Sequence, residues 1–339
     1  MERAITALDS LKEMRWDGRS GGHFEAWYAT MNQVTSKAGF WIRYAMVAPR
    51  TGEPRAQIWF TSFVPGASEA SVAAVQEYPP DQFNASSTPF VLRVGPSSLE
   101  SGRMTGMMEI AGLPVTWDLV YEAVTDPLRN LPEVFYKTRW VASRFLTPHP
   151  FMMVGGKIQI GFHTFILNAD PGQQGHIWGR SHAEEWVWFH CSSFFQEGGD
   201  PLPAYVTGVM ARQRLLGRVL LPPLSFGHLV WNEKHVQIRP ETGWEKRWNG
   251  GWVWKGVAGD EDVKLSLVVP WAEMVLAPYR DPAGRTLYCH HTDVADCTVE
   301  FRAPRKPPRV FRSLRMAHLE IGSRSPDARV ARKVLIQRM

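Results

Sequence analysis

This sequence of 339 residues has few cysteines, no long apolar run and no large excess of either positive or negative charge. The three cysteines are Cys191, Cys289 and Cys297. So few, in an odd number, argue against a disulfide framework and for a reducing compartment. No run of about 18 apolar residues occurs, so no segment is expected to span a bilayer. The first residues, MERAITALDSLKEMRW, lack the apolar core of a signal peptide, and we expect a soluble, cytoplasmic protein.

The charge balance is only mildly basic, with a formal net charge of +5. This excess is too small to indicate a nucleic-acid partner. Much of it lies late in the chain, in a run that fits either a solvated loop with its flanking strand or a weak contact with an anionic membrane. The run consists of Arg302, Arg305, Lys306, Arg309, Arg312 and Arg315. We therefore expect peripheral membrane contact at most.

The common catalytic signatures are also missing. The sequence has no G-x-S-x-G elbow, no P-loop and no G-x-G-x-x-G fingerprint, which leaves a serine hydrolase, an NTPase and a dinucleotide-dependent dehydrogenase without support. His182 to Glu185 is not the HExxH pattern, and Cys289 and Cys297 lack the spacing of a zinc ribbon. We predict no cofactor and no metal.

Apolar residues alternate at a period of two along most of the chain. Phe40, Ile42 and Tyr44 would share one face of a strand, with a turn at residues 49–53 leading to a second strand over 56–64. Many short strands separated by turns predict an all-β protein of sandwich or barrel type. Short helices are expected at Ile5–Arg15 and Glu69–Glu77, and the pattern of Arg329–Gln337 is ambiguous. Turn-rich residues after Phe195 predict two domains, 1–196 and 197–339.

Tryptophan is the strongest signal, with 15 residues. Such rings either fill a core or line a ligand cavity, because barrels often enclose one. The densest patch runs from Gly175 to Cys191. There Trp186, Trp188 and His190 would share one strand face, while Glu185 and its alternate neighbours take the other. His176 and His182 would lie in the loop before that strand, so the patch is either a site for acid–base chemistry or a loop bonded by its own side chains.

A second patch is Gly21 to Tyr28, where Glu25 and Trp27 share a face. A carboxyl beside an indole in a dry barrel mouth would have a raised pKa, as a general acid requires, whereas on an edge strand it would face water.

Four segments carry a family resemblance: residues 22–28, the hairpin 40–60, residues 115–119, and the block from His176 to Cys191. They resemble the superfamily of carotenoid 1,2-hydratases (hydroxyneurosporene synthase-like), tocopherol cyclases and lipocalin-like Diels–Alderases. Ala26 stands where that pattern has glycine. The resemblance implies two lipocalin-like β-barrels packed together, and cofactor-independent chemistry on isoprenoid or polyketide ligands.

Two hypotheses follow. The first is a hydratase or cyclase for a large apolar polyene, and the second is a carrier that only shelters a hydrophobic molecule. The acid–base candidates are Glu25, Asp118, His176, His182 and Glu185. The candidates for ligand contact are Trp27, Tyr28, Trp41, Trp59, Trp117, Trp178, Trp186, Trp188 and His190. An enzyme predicts a carboxyl deep among tryptophan rings, and a carrier predicts polar groups only at the cavity mouth.

Overall fold

A computed structural model describes residues 11–195, 201–215, 218–231, 234–240, 243–248 and 250–338. In these ranges the chain is almost entirely β-structure, as its alternating pattern predicts. The first twelve strands are β1 (His23–Gln33), β2 (Ala38–Ala48), β3 (Arg55–Phe63), β4 (Ala73–Tyr78), β5 (Phe83–Ser87), β6 (Phe90–Val94), β7 (Ser97–Glu100), β8 (Arg103–Ile110), β9 (Leu113–Ala123), β10 (Leu128–Arg129), β11 (Ser143–Ile160) and β12 (His163–Gly179). Short helical elements are α1 (Glu133–Lys137) and the 3₁₀ turns Ser68–Ala70, Pro80–Gln82 and Trp271–Glu273.

The remaining strands lie after residue 184. They are β13 (Glu185–Cys191), β14 (Phe194–Phe195), β15 (Pro201–Leu202), β16 (Ala204–Arg212), β17 (Arg214–Leu215), β18 (Val219–Leu220), β19 (Leu224–Trp231), β20 (Lys234–Ile238), β21 (Gly243–Trp248), β22 (Gly251–Ala258), β23 (Glu261–Val268), β24 (Val275–Arg280), β25 (Thr286–Arg302), β26 (Arg309–Ser323) and β27 (Leu335–Arg338). In the described residues, no helix is long and apolar enough to cross a lipid bilayer.

Two large antiparallel sheets form two lipocalin-like barrels that pack against each other. The first sheet runs in the order β27-β4-β3-β2-β1-β12-β11-β9-β8-β7-β6-β5 and is nearly closed, with β2 and β3 contacting β6. The second runs in the order β20-β19-β16-β13-β26-β25-β23-β22-β21. The sheets change between Gly179 and Glu185, earlier than the domain boundary predicted at residue 196, and β27 returns to the first sheet.

Three apolar clusters follow from the alternation of side chains along the strands. One fills the first barrel, for example with Trp27 and Met31, and another fills the second, with Val187 and Phe189. The third lies between the barrels and takes the outward faces of both sheets, such as Tyr28 on β1 and Trp188 on β13. Each sheet is therefore apolar on both faces along this contact, and the third cluster surrounds the cavity described below.

The helix expected at Glu69–Glu77 is wrong. The segment is a 3₁₀ turn followed by strand β4. Ala73–Tyr78 is buried throughout and pairs with β3, so tertiary pairing outweighs the local helix signal. Residues 5–10 of the other expected helix, Ile5–Arg15, lie outside the described residues.

Candidate functional site

A cavity lies between the two barrels, and its walls are mainly apolar. The cavity has a volume of about 140 Å³. This is well above the ~10–15 Å³ that one water molecule needs, so the cavity has room for an organic group. The first barrel contributes Tyr28, Trp41, Arg43, Phe145 and Ile177 to its walls; the second contributes Trp186, Trp188, Val209, Tyr279 and Glu320; the connecting segments contribute Phe135, Val141, His182, Leu221 and Pro222.

Aromatic rings form two facing walls of this cavity. The Trp186 and Tyr279 rings are stacked with centroids 6.1 Å apart, and Trp188 meets Tyr28 edge-on at 5.4 Å. Gly322 lies opposite Trp186 in the sheet, and a Cβ atom there would come within 2.1 Å of the indole. Glycine at this position therefore lets the Trp186 ring lie flat against β26.

Glu320 is the carboxylate in this aromatic wall. It lies on β26, in register with Trp188 on β13 and with His291 on β25. Trp186 Nε1 donates a hydrogen bond to Glu320 Oε2 at 3.2 Å, and the Tyr279 hydroxyl donates to Oε1 at 3.3 Å. The Glu320 carboxylate is thus oriented by two aromatic donors at the cavity wall.

A chain of buried ionisable groups extends from Glu320 away from the cavity. His291 Nδ1 lies 3.3 Å from Glu320 Oε1, and His291 Nε2 lies 3.0 Å from Asp293 Oδ1. His318 Nδ1 donates to the same Asp293 oxygen at 2.8 Å, and Thr61 on the first barrel donates to Asp293 Oδ2 at 2.8 Å. A proton on His291 therefore has a carboxylate on each side.

The charges in this chain follow from burial and mutual attraction. Burial alone would lower the pKa of His291, but the negative charges of Asp293 and Glu320 raise it to about 9. Burial would raise the pKa of Glu320 and of Asp293, but both lie below their ordinary values because His291 attracts the carboxylate forms. At neutral pH His291 is protonated, with two carboxylates beside it.

Arg43 brings a positive charge to the cavity wall opposite Glu320. Its guanidinium lies over the Tyr279 ring, 4.5 Å from the centroid, and it is near enough to Glu320 to favour the carboxylate form. In the sheet it stands between Tyr28 and Trp59 on the neighbouring strands. The first barrel therefore presents a cation to the wall on which the second barrel presents Glu320.

His182 lies in the loop between the two sheets and reaches the cavity. Both of its ring nitrogens are buried and, among the residues that the structure describes, have no hydrogen-bond partner. It stacks on Phe24 with centroids 3.9 Å apart. Burial, followed by the positive charges of Arg43 and Arg285, lowers its pKa to about 3, so the ring is neutral. A neutral imidazole with one free acceptor and one free donor is available to a ligand.

The other predicted acid–base residues lie outside the cavity. His176, which the sequence placed in a loop, instead lies on strand β12, opposite Trp27 on β1. It is at the mouth of the first barrel with Glu25, where His176 Nε2 contacts Glu25 Oε1 at 2.7 Å. Glu25 also accepts from His23 and from the backbone amides of Arg15 and Trp16 at 2.8–3.0 Å. The expected rise in the pKa of Glu25 is wrong. Burial raises it, but the bonds from His176 and His23 bring it below its ordinary value.

The last two predicted carboxylates are nearer to solvent. Asp118 is exposed on the outer face of β9, where Arg103 Nη2 donates to it at 3.0 Å. Glu185 is half-buried at the start of β13, on the face that turns toward the interior of the second barrel. In the described ranges, no group of three His, Cys, Asp or Glu side chains has metal-binding geometry.

The aromatic candidates for ligand contact divide among three environments. Trp27 and Trp117 lie in the interior of the first barrel, and Trp178 lies beside His176 near its mouth. Trp59 and His190 are buried between the barrels but do not line the cavity. The cavity itself is lined by four of the candidates: Tyr28, Trp41, Trp186 and Trp188.

Sequence analysis missed Glu320, Arg43, Tyr279, His291 and Asp293. A charged residue that points outward from a strand has the sequence pattern of a solvent-facing one, and only the packing of the other barrel against that strand buries it. One signal was available. Arg43 stands between Trp41 and Ala45 on the same strand face, and Glu320 alternates with His318 in the run 316–321. Charge on a strand face that is otherwise apolar indicates a buried interface.

Proteins of known sequence or structure share this architecture. The chain is 26% identical over 317 residues to an uncharacterized protein found in two strains of Mycobacterium tuberculosis, covering 93% of this chain and 90% of that one. Among solved structures, it is similar to kievitone hydratase from Nectria haematococca, with a TM-score of 0.51, 11% identity and coverage of 92% and 94%. It is also similar to a Nitrosomonas europaea protein with the provisional name AttH, with a TM-score of 0.51, 12% identity and coverage of 88% and 92%. Both likenesses show the two-barrel fold.

A family model matches the part of the chain that forms the second barrel's side of the cavity. The tocopherol cyclase-like model matches residues 152–323, just over half of the chain. That range includes β12, β13, β25 and β26, and with them His182, Trp186, His291 and Glu320. The chain belongs to the tocopherol cyclase-like family.

Proposed function

We propose that this protein is a cofactor-independent hydratase or cyclase that acts on a large apolar polyene, isoprenoid or polyketide, held in the cavity between the barrels. The observation that carries the proposal is Glu320, a buried carboxylate on an aromatic wall with a protonated histidine behind it. A carrier has no need of such a group, because burying charge is costly unless it is paired. The family, and a fold neighbour that is named as a hydratase, support the same class of reaction.

The acid in this proposal is the Glu320–His291 pair. His291 holds the proton at neutral pH and lies 3.3 Å from Glu320 Oε1. Because its pKa is lowered, Glu320 is a carboxylate at rest. It relays the His291 proton to a C=C bond of the substrate as the transfer takes place, and Asp293 stabilises the charge that His291 carries beforehand. General acid catalysis of this kind contributes about 10²–10⁴-fold to a rate.

The cation formed by protonation of the alkene needs an apolar, electron-rich surrounding. The rings of Trp186, Tyr279 and Trp188 supply negative π-faces to the cation and exclude stray water. The negative charge left on Glu320 lies on the same wall and attracts the cation as well.

The nucleophile is a water in hydration or a hydroxyl of the substrate in ring closure. Once it adds to the cation, its oxygen carries a proton that is strongly acidic. His182, neutral and unpartnered at the cavity, accepts that proton despite its low pKa. The two reactions therefore use the same acid and base and differ only in which oxygen the bound substrate admits.

The test begins with small molecules extracted from the purified protein and identified by mass spectrometry. The extracted compound, or otherwise a panel of polyenes and prenylated phenols, is then incubated with the protein. Hydration adds one water to the mass, ring closure leaves the mass unchanged with a new retention time, and a carrier returns the compound unaltered.

The decisive variant is Glu320→Gln, which keeps the shape of the side chain but cannot transfer the proton. We expect turnover to fall by about 10²-fold or more with little change in binding. Glu185→Gln is the matched control, because Glu185 lies on the neighbouring strand but faces away from the cavity. Turnover at the wild-type rate in Glu320→Gln would contradict the acid mechanism and favour pericyclic closure guided by shape alone.

A further inference from the structure

The mouth of the cavity carries an unusual surface, here termed the rim surface. It consists of the exposed residues Val134, Trp140, Val219, Leu220, Arg139, Arg180 and Arg218. These residues come from two segments, 131–144 around α1 and the described residues 213–215 and 218–222 around β17 and β18, together with Arg180 directly after β12. The same two segments line the cavity on their inner side, through Phe135, Val141, Leu221 and Pro222.

The two segments of the rim surface are joined by specific contacts. The amide of Ala142 donates to Gln213 Oε1 at 3.0 Å, and Gln213 Nε2 donates to Ser143 Oγ at 3.3 Å. The Phe135 ring meets Phe226 on β19 edge-on, with centroids 6.2 Å apart. The rim surface is therefore one continuous area that spans both barrels.

The apolar side chains of this surface face solvent. Val219 is 61% exposed, Trp140 49%, Val134 40% and Leu220 36%. Four large apolar side chains exposed on the two segments that line the cavity are more than the scattered apolar residues of an ordinary surface, and such patches mark sites of interaction. Tryptophan and short aliphatic chains are the residues that enter the boundary between lipid headgroups and acyl chains.

The charges of the rim surface have one dominant sign. Arg180 Nη2 donates to the backbone carbonyl of Arg139 at 3.1 Å, which holds the exposed Arg180 side chain against the segment that carries Arg139. Burial, and then the repulsion of Arg180 and Arg139, lowers the pKa of the neighbouring Arg144. Within residues 131–144 and 213–222 the acidic side chain is Glu133, which is already paired with Arg129 and Lys137. The surface thus has unbalanced positive charge and is complementary to an anionic partner.

We propose that the rim surface docks on an anionic lipid bilayer, with Trp140, Val219 and their apolar neighbours in the headgroup region and the arginines on lipid phosphates. The docked orientation points the cavity mouth at the membrane. An apolar substrate dissolved in the bilayer then enters the cavity without crossing water. The use made of docking depends on the proposed function, but docking itself depends only on the exposure and charge of the rim and is measured without substrate.

The experiment is co-sedimentation of the full chain with vesicles of phosphatidylcholine alone or mixed equally with phosphatidylglycerol. We expect at least tenfold stronger partitioning to the anionic vesicles, weakened by salt. Two double variants, Trp140→Ser with Val219→Ser and Arg139→Glu with Arg218→Glu, are each expected to weaken partitioning by about tenfold or more. Thermal melts confirm that both variants are folded.

The matched controls lie on the far side of the first barrel. Phe162→Ser removes a fully exposed apolar side chain at the turn between β11 and β12, and Arg93→Glu reverses an exposed charge on β6. Neither is expected to change partitioning by more than about twofold. Three results would each overturn the proposal. The protein binds both kinds of vesicle equally, or the control variants lose as much binding as the rim variants. The third is that heparin binds as strongly as the vesicles and its binding is unchanged in the Trp140 and Val219 variant.

Discussion

Asp293→Asn is the substitution that most directly tests the buried ionic chain. Asp293 has almost no contact with solvent and faces two histidines and Thr61. The amide of asparagine preserves the volume and one acceptor oxygen, but it removes the negative charge that stabilises the His291 imidazolium. The variant therefore isolates charge from shape.

The magnitude follows from the pKa of His291. Its rise from 6.5 to about 9 corresponds to about 3 kcal/mol of net stabilisation of the charged form. Removing one partner of a buried pair costs about 3–5 kcal/mol. We expect Asp293→Asn to lose about 3 kcal/mol of unfolding free energy at pH 6, where His291 is charged, and much less above pH 9, where the wild-type histidine has lost its proton.

Urea unfolding at pH 6 and at pH 10 measures both values, and Asp296→Asn is the control. Asp296 lies on the same strand, but it is exposed and accepts from the amide of Arg315. Its loss should cost under about 1 kcal/mol at either pH. A loss for Asp293→Asn that is the same at pH 6 and pH 10 would refute the ionic coupling, because a purely steric defect does not titrate.

Three further predictions concern stability and dependence on pH. For the wild type, the contribution of His291 is complete below pH 6.5 and is lost as the pH rises through about 9, so unfolding free energy should fall by about 3 kcal/mol between pH 6 and pH 10 in urea titrations. Gly39→Ala should lower the melting temperature and reduce the unfolding free energy by about 1–3 kcal/mol, because its Cβ would lie 2.4 Å from the carbonyl oxygen of Asp293 on the other barrel. An unchanged melting temperature would show that the barrels separate freely. Glu25→Gln should speed proteolysis near residues 11–16 while turnover stays within about twofold of the wild type; a 10²-fold loss of turnover would return Glu25 to the reaction.

The strand pattern of the sequence was enough to predict an all-β protein of sandwich or barrel type, because period-two alternation reports directly on which side chains enter a core. The two barrels themselves came from the family resemblance. The predicted faces of β13 are confirmed, with Val187 and Phe189 inside the second barrel and Trp186 and Trp188 turned toward the first. The pattern could not show that both faces of the contacting sheets are buried, since that depends on how the barrels meet.

The site was harder to predict, for the same reason. Glu320, His291 and Arg43 come from strands far apart in sequence and meet only through sheet register and barrel packing. Glu25 was predicted as a general acid because it shares a strand face with Trp27. The sequence does not reveal that backbone amides already donate hydrogen bonds to its carboxylate oxygens. Aromatic abundance likewise does not distinguish Trp117, which fills a barrel, from Trp186, which lines the cavity.

Strand β27 has a consequence for biosynthesis. Its residues pair in parallel with β4 and so cover an edge of the first barrel, although the second barrel lies between them in the chain. During translation, the hydrogen-bonding edge of Ala73–Tyr78 stays uncovered until residues 335–338 leave the ribosome. A nascent chain is therefore open to edge-to-edge association from the time β4 is made until β27 pairs with it, and a variant that lacks residues 335–338 would leave that edge uncovered.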